Sequence, residues 1–111
     1  MKMFNAAHIE VKKDFTGDFQ TNPYEAGWAD EALFFIHVER LSGNQPTLVA
    51  AVEISHDGVH WAKEGTSSEV ITRQGLHFIR VRHFGNWLRL DCNIGGQQPV
   101  FRLNIQLALK G

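Results

Sequence analysis

One segment limits the fold more than any other. In Val100–Lys110, VFRLNIQLALK, the apolar side chains of Phe101, Leu103, Ile105, Leu107 and Leu109 occupy every second position. Arg102, Asn104, Gln106 and Lys110 take the places between them, with Ala108 as the exception. Successive side chains of an extended strand point to opposite faces, so this spacing builds one buried face and one wet face. A helix, at about 3.6 residues per turn, would spread the same five residues around its circumference.

The period of two recurs upstream. Leu88, Leu90, Cys92 and Ile94 share a face, opposed by Trp87, Arg89, Asp91 and Asn93. Leu48, Ala50, Val52 and Ile54 do the same within residues 47–55. In residues 76–84, His77, Ile79, Val81 and His83 alternate with Leu76, Phe78, Arg80 and Arg82, so both faces carry bulk. Ala29–Leu33 is compatible with a helical turn, but the aromatic and β-branched content of Phe34–Val38 favours a strand there. Further short strands are expected within Ala6–Lys12 and around Glu69–Thr72. Gly43-Asn44-Gln45-Pro46, Asp57-Gly58, Gly85-Asn86 and Gly95-Gly96 read as turns between strands. Asp14–Ala29, with Gly17, Pro23 and Gly27, reads as a long loop or an edge segment. The expectation is an all-β chain: an antiparallel β-sandwich, jelly-roll-like, of seven to eight short strands. At 111 residues it supports one core, hence a single domain over 1–111.

Composition narrows the function classes. Lys+Arg total 11 and Asp+Glu 12, a formal net charge of −1. Proteins that hold nucleic acid through bulk charge need a clustered positive surface, so no nucleic-acid partner is expected. Cys92 is the single cysteine, which excludes an internal disulfide and a Cys-rich zinc site and fits folding in a reducing cytoplasm. No apolar stretch precedes the charges of Glu10–Lys13, so no export signal is expected, and the chain reads as a complete gene product. The longest apolar run, Ala32–Ile36, falls far short of the roughly 20 residues of a spanning helix, so no membrane partner is expected.

The most distinctive local pattern is Ser55-His56-Asp57-Gly58-Val59-His60-Trp61, an S-x-D-G-x-x-W hairpin. Asp57 can bond its own turn backbone, Gly58 supplies the left-handed position, and Trp61 folds back onto the sheet. With the apolar strand before it and Phe78-Ile79-Arg80-Val81 after it, the pattern resembles small β-sandwich proteins of phage virions. It is also similar to an uncharacterised bacterial family and to discoidin-type binding domains. The resemblance covers about Leu48–Leu109. It implies a β-sandwich, a virion as the destination, and no catalytic residues.

Catalytic constellations are not expected. His56 and His60 stand four apart across a turn, His77 and His83 lie at the two ends of one strand, and neither pair comes with an H-E-x-x-H motif. No metal or cofactor is expected. Cys92 sits on an apolar strand face, where a thiol is an inert small hydrophobe. The carboxylate pairs Asp30/Glu31 and Asp14/Asp18 fall in loops with no apolar pocket to separate their pKa values. Arg80, Arg82 and Arg89 with Trp87 would make a basic aromatic platform if 76–83 paired with 87–94. The preferred reading is a cross-strand cluster with Asp91 or Glu53.

Aromatic side chains are the candidate contacts: Tyr24 and Trp28 in the loop Pro23–Trp28, the turn residue Trp61, and Trp87. The loop pair is expected to pack over a sheet edge or against another chain. These features favour a non-enzymatic structural or assembly protein with protein partners, a homo-oligomer or one attached to a larger assembly. A carbohydrate- or ligand-binding module is the alternative; a small enzyme is the least favoured.

Overall fold

A computed structural model describes residues 4–111. Among them no helix forms, and seven strands make one antiparallel hydrogen-bonded sheet. In chain order they are β1 (Phe4–Phe15), β2 (Phe19–Gln20), β3 (Tyr24–Glu25), β4 (Glu31–Ser55), β5 (Ala62–Ser67), β6 (Gly75–Arg82) and β7 (Trp87–Lys110). The all-β antiparallel sandwich is the fold that the alternation of apolar side chains requires.

Two strands organise the whole. β4 and β7, 25 and 24 residues long, run antiparallel to each other through both layers. In the first layer residues 31–42 of β4 pair with 100–110 of β7, flanked by β6 and β1, giving the order β1-β7-β4-β6. In the second, residues 47–55 pair with 87–95, flanked by β5 on one side and the short β2 and β3 on the other.

The expectation of uniformly short strands fails at Gly43–Pro46 and Gly95-Gly96, which are not turns. They face each other across the ladder, Asn44 opposite Gln97, with an amide hydrogen bond of 3.3 Å between them. Register shifts on both sides of Asn44 bend the pair of strands as one corner. Glycine is needed there on two counts. Gly43 and Gly96 hold φ of +109° and +112°, and a Cβ on either would come within 2.6 and 2.7 Å of a carbonyl oxygen of the opposite strand, Gln98 and Gln45 respectively. The ladder continues through the corner because the residues on both sides of it are already paired, 31–42 with 100–110 and 47–55 with 87–95, so the two exposed segments between them are held face to face.

Other sequence expectations move for similar reasons. Ala29–Leu33 makes no helical turn, and Glu31 opens β4. Glu69–Thr72 supplies only an isolated bridge, Ile71 to Leu48. Part of Asp14–Ala29 does form edge structure, β2 and β3 pairing with β7. β5 was not marked by the sequence: its side chains are mostly exposed, so no apolar period betrays it.

The core lies between the layers. Ala32, Phe34, Ile36 and Val38 point inward from one half of β4, and Leu48, Ala50 and Val52 from the other. Leu88, Leu90, Cys92, Phe101, Leu103, Ile105, Leu107 and Leu109 meet them from β7. Burying each large apolar side chain contributes about 1.5–3 kcal/mol, which is why the alternation holds on both sides of the corner.

Candidate interaction surfaces

The turn at Ser55–Trp61 is built as its residue types demand. Ser55 Oγ accepts from the backbone N–H of Asp57 (3.2 Å) and Gly58 (2.8 Å) and donates to Asp57 Oδ1 at 3.0 Å. That carboxylate oxygen also accepts from the N–H groups of Val59 and His60, each at 2.8 Å. The His60 N–H, the His60 ring (Nδ1 to Oδ2, 2.7 Å) and the Val59 N–H hold the Asp57 carboxyl well below the usual carboxylate range. The rings of His56 and His60 stack with centroids 6.4 Å apart. Gly58 takes φ +79°, and a Cβ on it would meet the Trp87 ring at 3.1 Å. The turn is thereby pressed onto Trp87.

Trp61 does fold back onto the sheet, over a charge and not over the core. Its ring stands 4.1 Å from the Arg89 guanidinium. Arg89 Nε donates to Glu53 Oε1 at 2.7 Å, and Lys63 Nζ donates to Asp91 Oδ2 at 2.6 Å with Glu53 Oε2 at 3.6 Å. The bond to Asp91 is the main reason the Lys63 ammonium is held above its ordinary value. Glu53 is buried, and its charge is matched by these two cations. Of the expected cluster with Asp91 or Glu53, the Arg89–Glu53 pair forms; Trp61 and not Trp87 is its aromatic member, and Asp91 is taken by Lys63. Arg80 and Arg82 do not join it: β6 pairs with β4 and not with β7, and both arginines reach Glu31, at 3.5 and 3.3 Å. The conditional basic platform therefore does not form.

Of the four aromatic candidates, the structure brings Trp61 and Trp87 to the outer face of the second layer, flanking Arg89. Tyr24 lies apart, opposite Leu88 in the β3–β7 pair, half-buried against the core, its hydroxyl accepting from Asn5 Nδ2 at 3.0 Å. Ala26, two residues on, is fully buried. The loop thus packs within the chain over this stretch, while Trp28 stays 41% exposed.

The outer face of the first layer carries a surface the sequence marked only in part. Leu76 and Phe78 of β6 are 63% and 59% exposed. Phe35 of β4 sits opposite Phe78, ring centroids 6.4 Å apart and tilted by 40°. Leu33 and Ala108 lie in the next row, opposite Arg80, and are buried, so the open surface is confined to Leu76, Phe78 and the half-buried Phe35. Two-sided bulk in 76–84 was the visible signal. The place of Phe35 was not visible, because it depends on β6 choosing β4.

Among the described residues, no three His, Cys, Asp or Glu side chains converge where they could hold a metal ion. Cys92 is fully buried on β7, and burial pushes its thiol up to about 12. No helix of the described residues is long and apolar enough to cross a membrane.

No protein-family model matches the sequence, and no curated protein matches it at the sequence level. Solved structures do match in shape. The SPBc2 prophage-derived protein YomS superposes with a TM-score of 0.62 at 6% identity, over 100% of this chain and 96% of that one. The VP2 subviral particle of infectious bursal disease virus gives 0.65 at 13% identity, over 98% of this chain, which spans only 32% of the VP2 chain. The CBM36-1 domain of a multidomain xylanase from the hindgut metagenome of Trinervitermes trinervoides gives 0.55 at 7% identity, over 96% of both chains. At such identities the likeness fixes the architecture alone: this chain shares its β-sandwich with the prophage-derived YomS, the viral VP2 and the CBM36-1 domain of a xylanase.

Proposed function

We propose that the protein is a non-enzymatic structural or assembly component, such as a capsid decoration, tail or shell protein, that works as one domain through protein–protein contacts. It folds in the cytoplasm and ends in a virion or comparable particle. The observation that carries this reading is the outer face of the first layer, where Leu76 and Phe78 stand open beside Phe35. Contiguous apolar surface of this kind marks contact sites in soluble proteins. The shape shared with YomS and VP2 supports it as analogy only. The test is to purify particles from the source on a density gradient and probe the fractions for this protein. Co-banding with particles is expected; recovery solely in the particle-free fractions would remove the reading.

A second reading, a carbohydrate- or ligand-binding module, draws on Trp61 and Trp87 sharing one outer face and on the end-to-end likeness to the CBM36-1 domain. Retention on insoluble xylan or on a glycan array, lost in Trp61→Ala and Trp87→Ala that remain folded by circular dichroism, would favour it over the first.

A further inference from the structure

We infer that β6 pairs edge to edge, antiparallel, with β6 of a second copy of this chain, joining two first layers into one eight-stranded sheet. This rests on the assembly reading above and names its first contact.

Three features of β6 point to it. First, β6 is bonded along only one side. All eight of its residues pair with β4, from Arg82 opposite Glu31 to Gly75 opposite Val38, and no described strand pairs with its other side. Second, its guard is charge alone, Arg80 and Arg82. Soluble proteins blunt open edges with bulges, charges, prolines or short length. The other edges obey that rule. β1 has two register shifts and carries Lys12 and Lys13, β5 faces a register shift and carries Lys63 and Glu64, and β2 and β3 are two residues each. β6 has no register shift, no proline, and inward-facing Ile79 and Val81.

Third, the strand complements itself. Its outward residues run Leu76, Phe78, Arg80, Arg82. Opposed residues in an antiparallel pair point to the same face. With Ile79 on the two-fold axis, Leu76 faces Arg82 of the second copy and Phe78 faces its Arg80. Each guanidinium then lies beside an apolar or aromatic side chain, which favours cation–π contact, and no arginine faces another. Moving the axis to Phe78 also keeps the arginines apart. Charge fits as well. Arg80 and Arg82 share the single carboxylate of Glu31, which leaves one positive charge over on each copy. An open groove of ≈430 Å³ is lined by Leu76–Arg80 of β6 and by the segment 66–69, and Glu69 in that lining makes no ion pair among the described residues. That carboxylate is the counter-charge available to the incoming arginines. A C2 pair of this type buries the same patch on both copies.

The test is sedimentation velocity and light scattering on the full chain from micromolar to millimolar concentration. A dimer is expected, and Phe78→Lys or the pair Leu76→Lys/Phe78→Lys should weaken it by about tenfold or more while leaving circular dichroism unchanged. Phe78→Thr, a good strand former, guards against a folding artefact and should weaken it too. Oxidation of Phe78→Cys mixed with Arg80→Cys, or of Phe78→Cys alone if Phe78 is on the axis, should give a cross-linked dimer, since native Cys92 is buried. A strict monomer, or a dimer indifferent to all these changes and free of cross-links, overturns the pairing. Particle co-banding separates the two readings. A monomeric wild type that still co-bands removes the dimer and leaves the assembly role. A β6-linked dimer that never co-bands keeps the dimer and removes the role.

Discussion

The Arg89 guanidinium lies 4.1 Å from the Trp61 ring while its Nε donates to Glu53 at 2.7 Å. One side chain thus ties the end of the turn to the long β4–β7 ladder. Trp61 is half-buried, so its removal costs the stacking and part of its apolar contact and opens no core cavity. Trp61→Ala should lower stability by about 1–2 kcal/mol in urea unfolding. A loss near the 3–5 kcal/mol typical of a buried tryptophan would contradict this placement.

Asp57 makes the turn sensitive to acid. Its folded carboxyl lies below the unfolded value of about 3.9, so its contribution is present above that pH and is lost as pH falls beneath it. Protection factors for amide exchange at Val59 and His60, taken relative to the free-chain rate at each pH, should fall on acidification below about pH 4, and Asp57→Asn should flatten the acid limb of the melting curve. Equal acid slopes for both proteins would refute it.

The corner where β4 and β7 bend should tolerate no side chain at Gly96. Alanine there combines φ of +112° with a Cβ 2.7 Å from the Gln45 carbonyl oxygen. Gly96→Ala is expected to cost about 2–4 kcal/mol. Gly17→Ala, with nothing within 4 Å, serves as the control and should stay within about 0.5 kcal/mol. Matching melting temperatures for the two variants would show that the corner is not tightly fixed.

Cys92 should be silent until the protein unfolds. Burial disfavours the thiolate, and the thiol is pushed up to about 12. Since the folded value is raised, the linked stability is complete below the unfolded thiol's value of about 8.5 and declines as pH rises above it. A disulfide reagent at mildly alkaline pH should react only after denaturant is added; rapid reaction of the native protein would place the thiol at the surface.

The direction of each side chain could be read residue by residue. Leu88 to Ile94 and Phe101 to Leu109 declared their buried faces, because alternation along an extended strand is a local property of the chain. The Asp57-Gly58 turn was equally legible, since all of its bonds lie within a few residues. Which strands meet emerged only from the folded chain. Asn44 and Gln97 are 53 residues apart, and only their meeting turns two apparent loops into one bend. β6 chose β4 over β7, which separated Arg80 from Arg89 and set Phe78 beside Phe35. Side-chain direction follows from backbone geometry one residue at a time, whereas strand partners are chosen by the burial and hydrogen bonding of the whole chain at once, and the exposed patch is a product of that second choice.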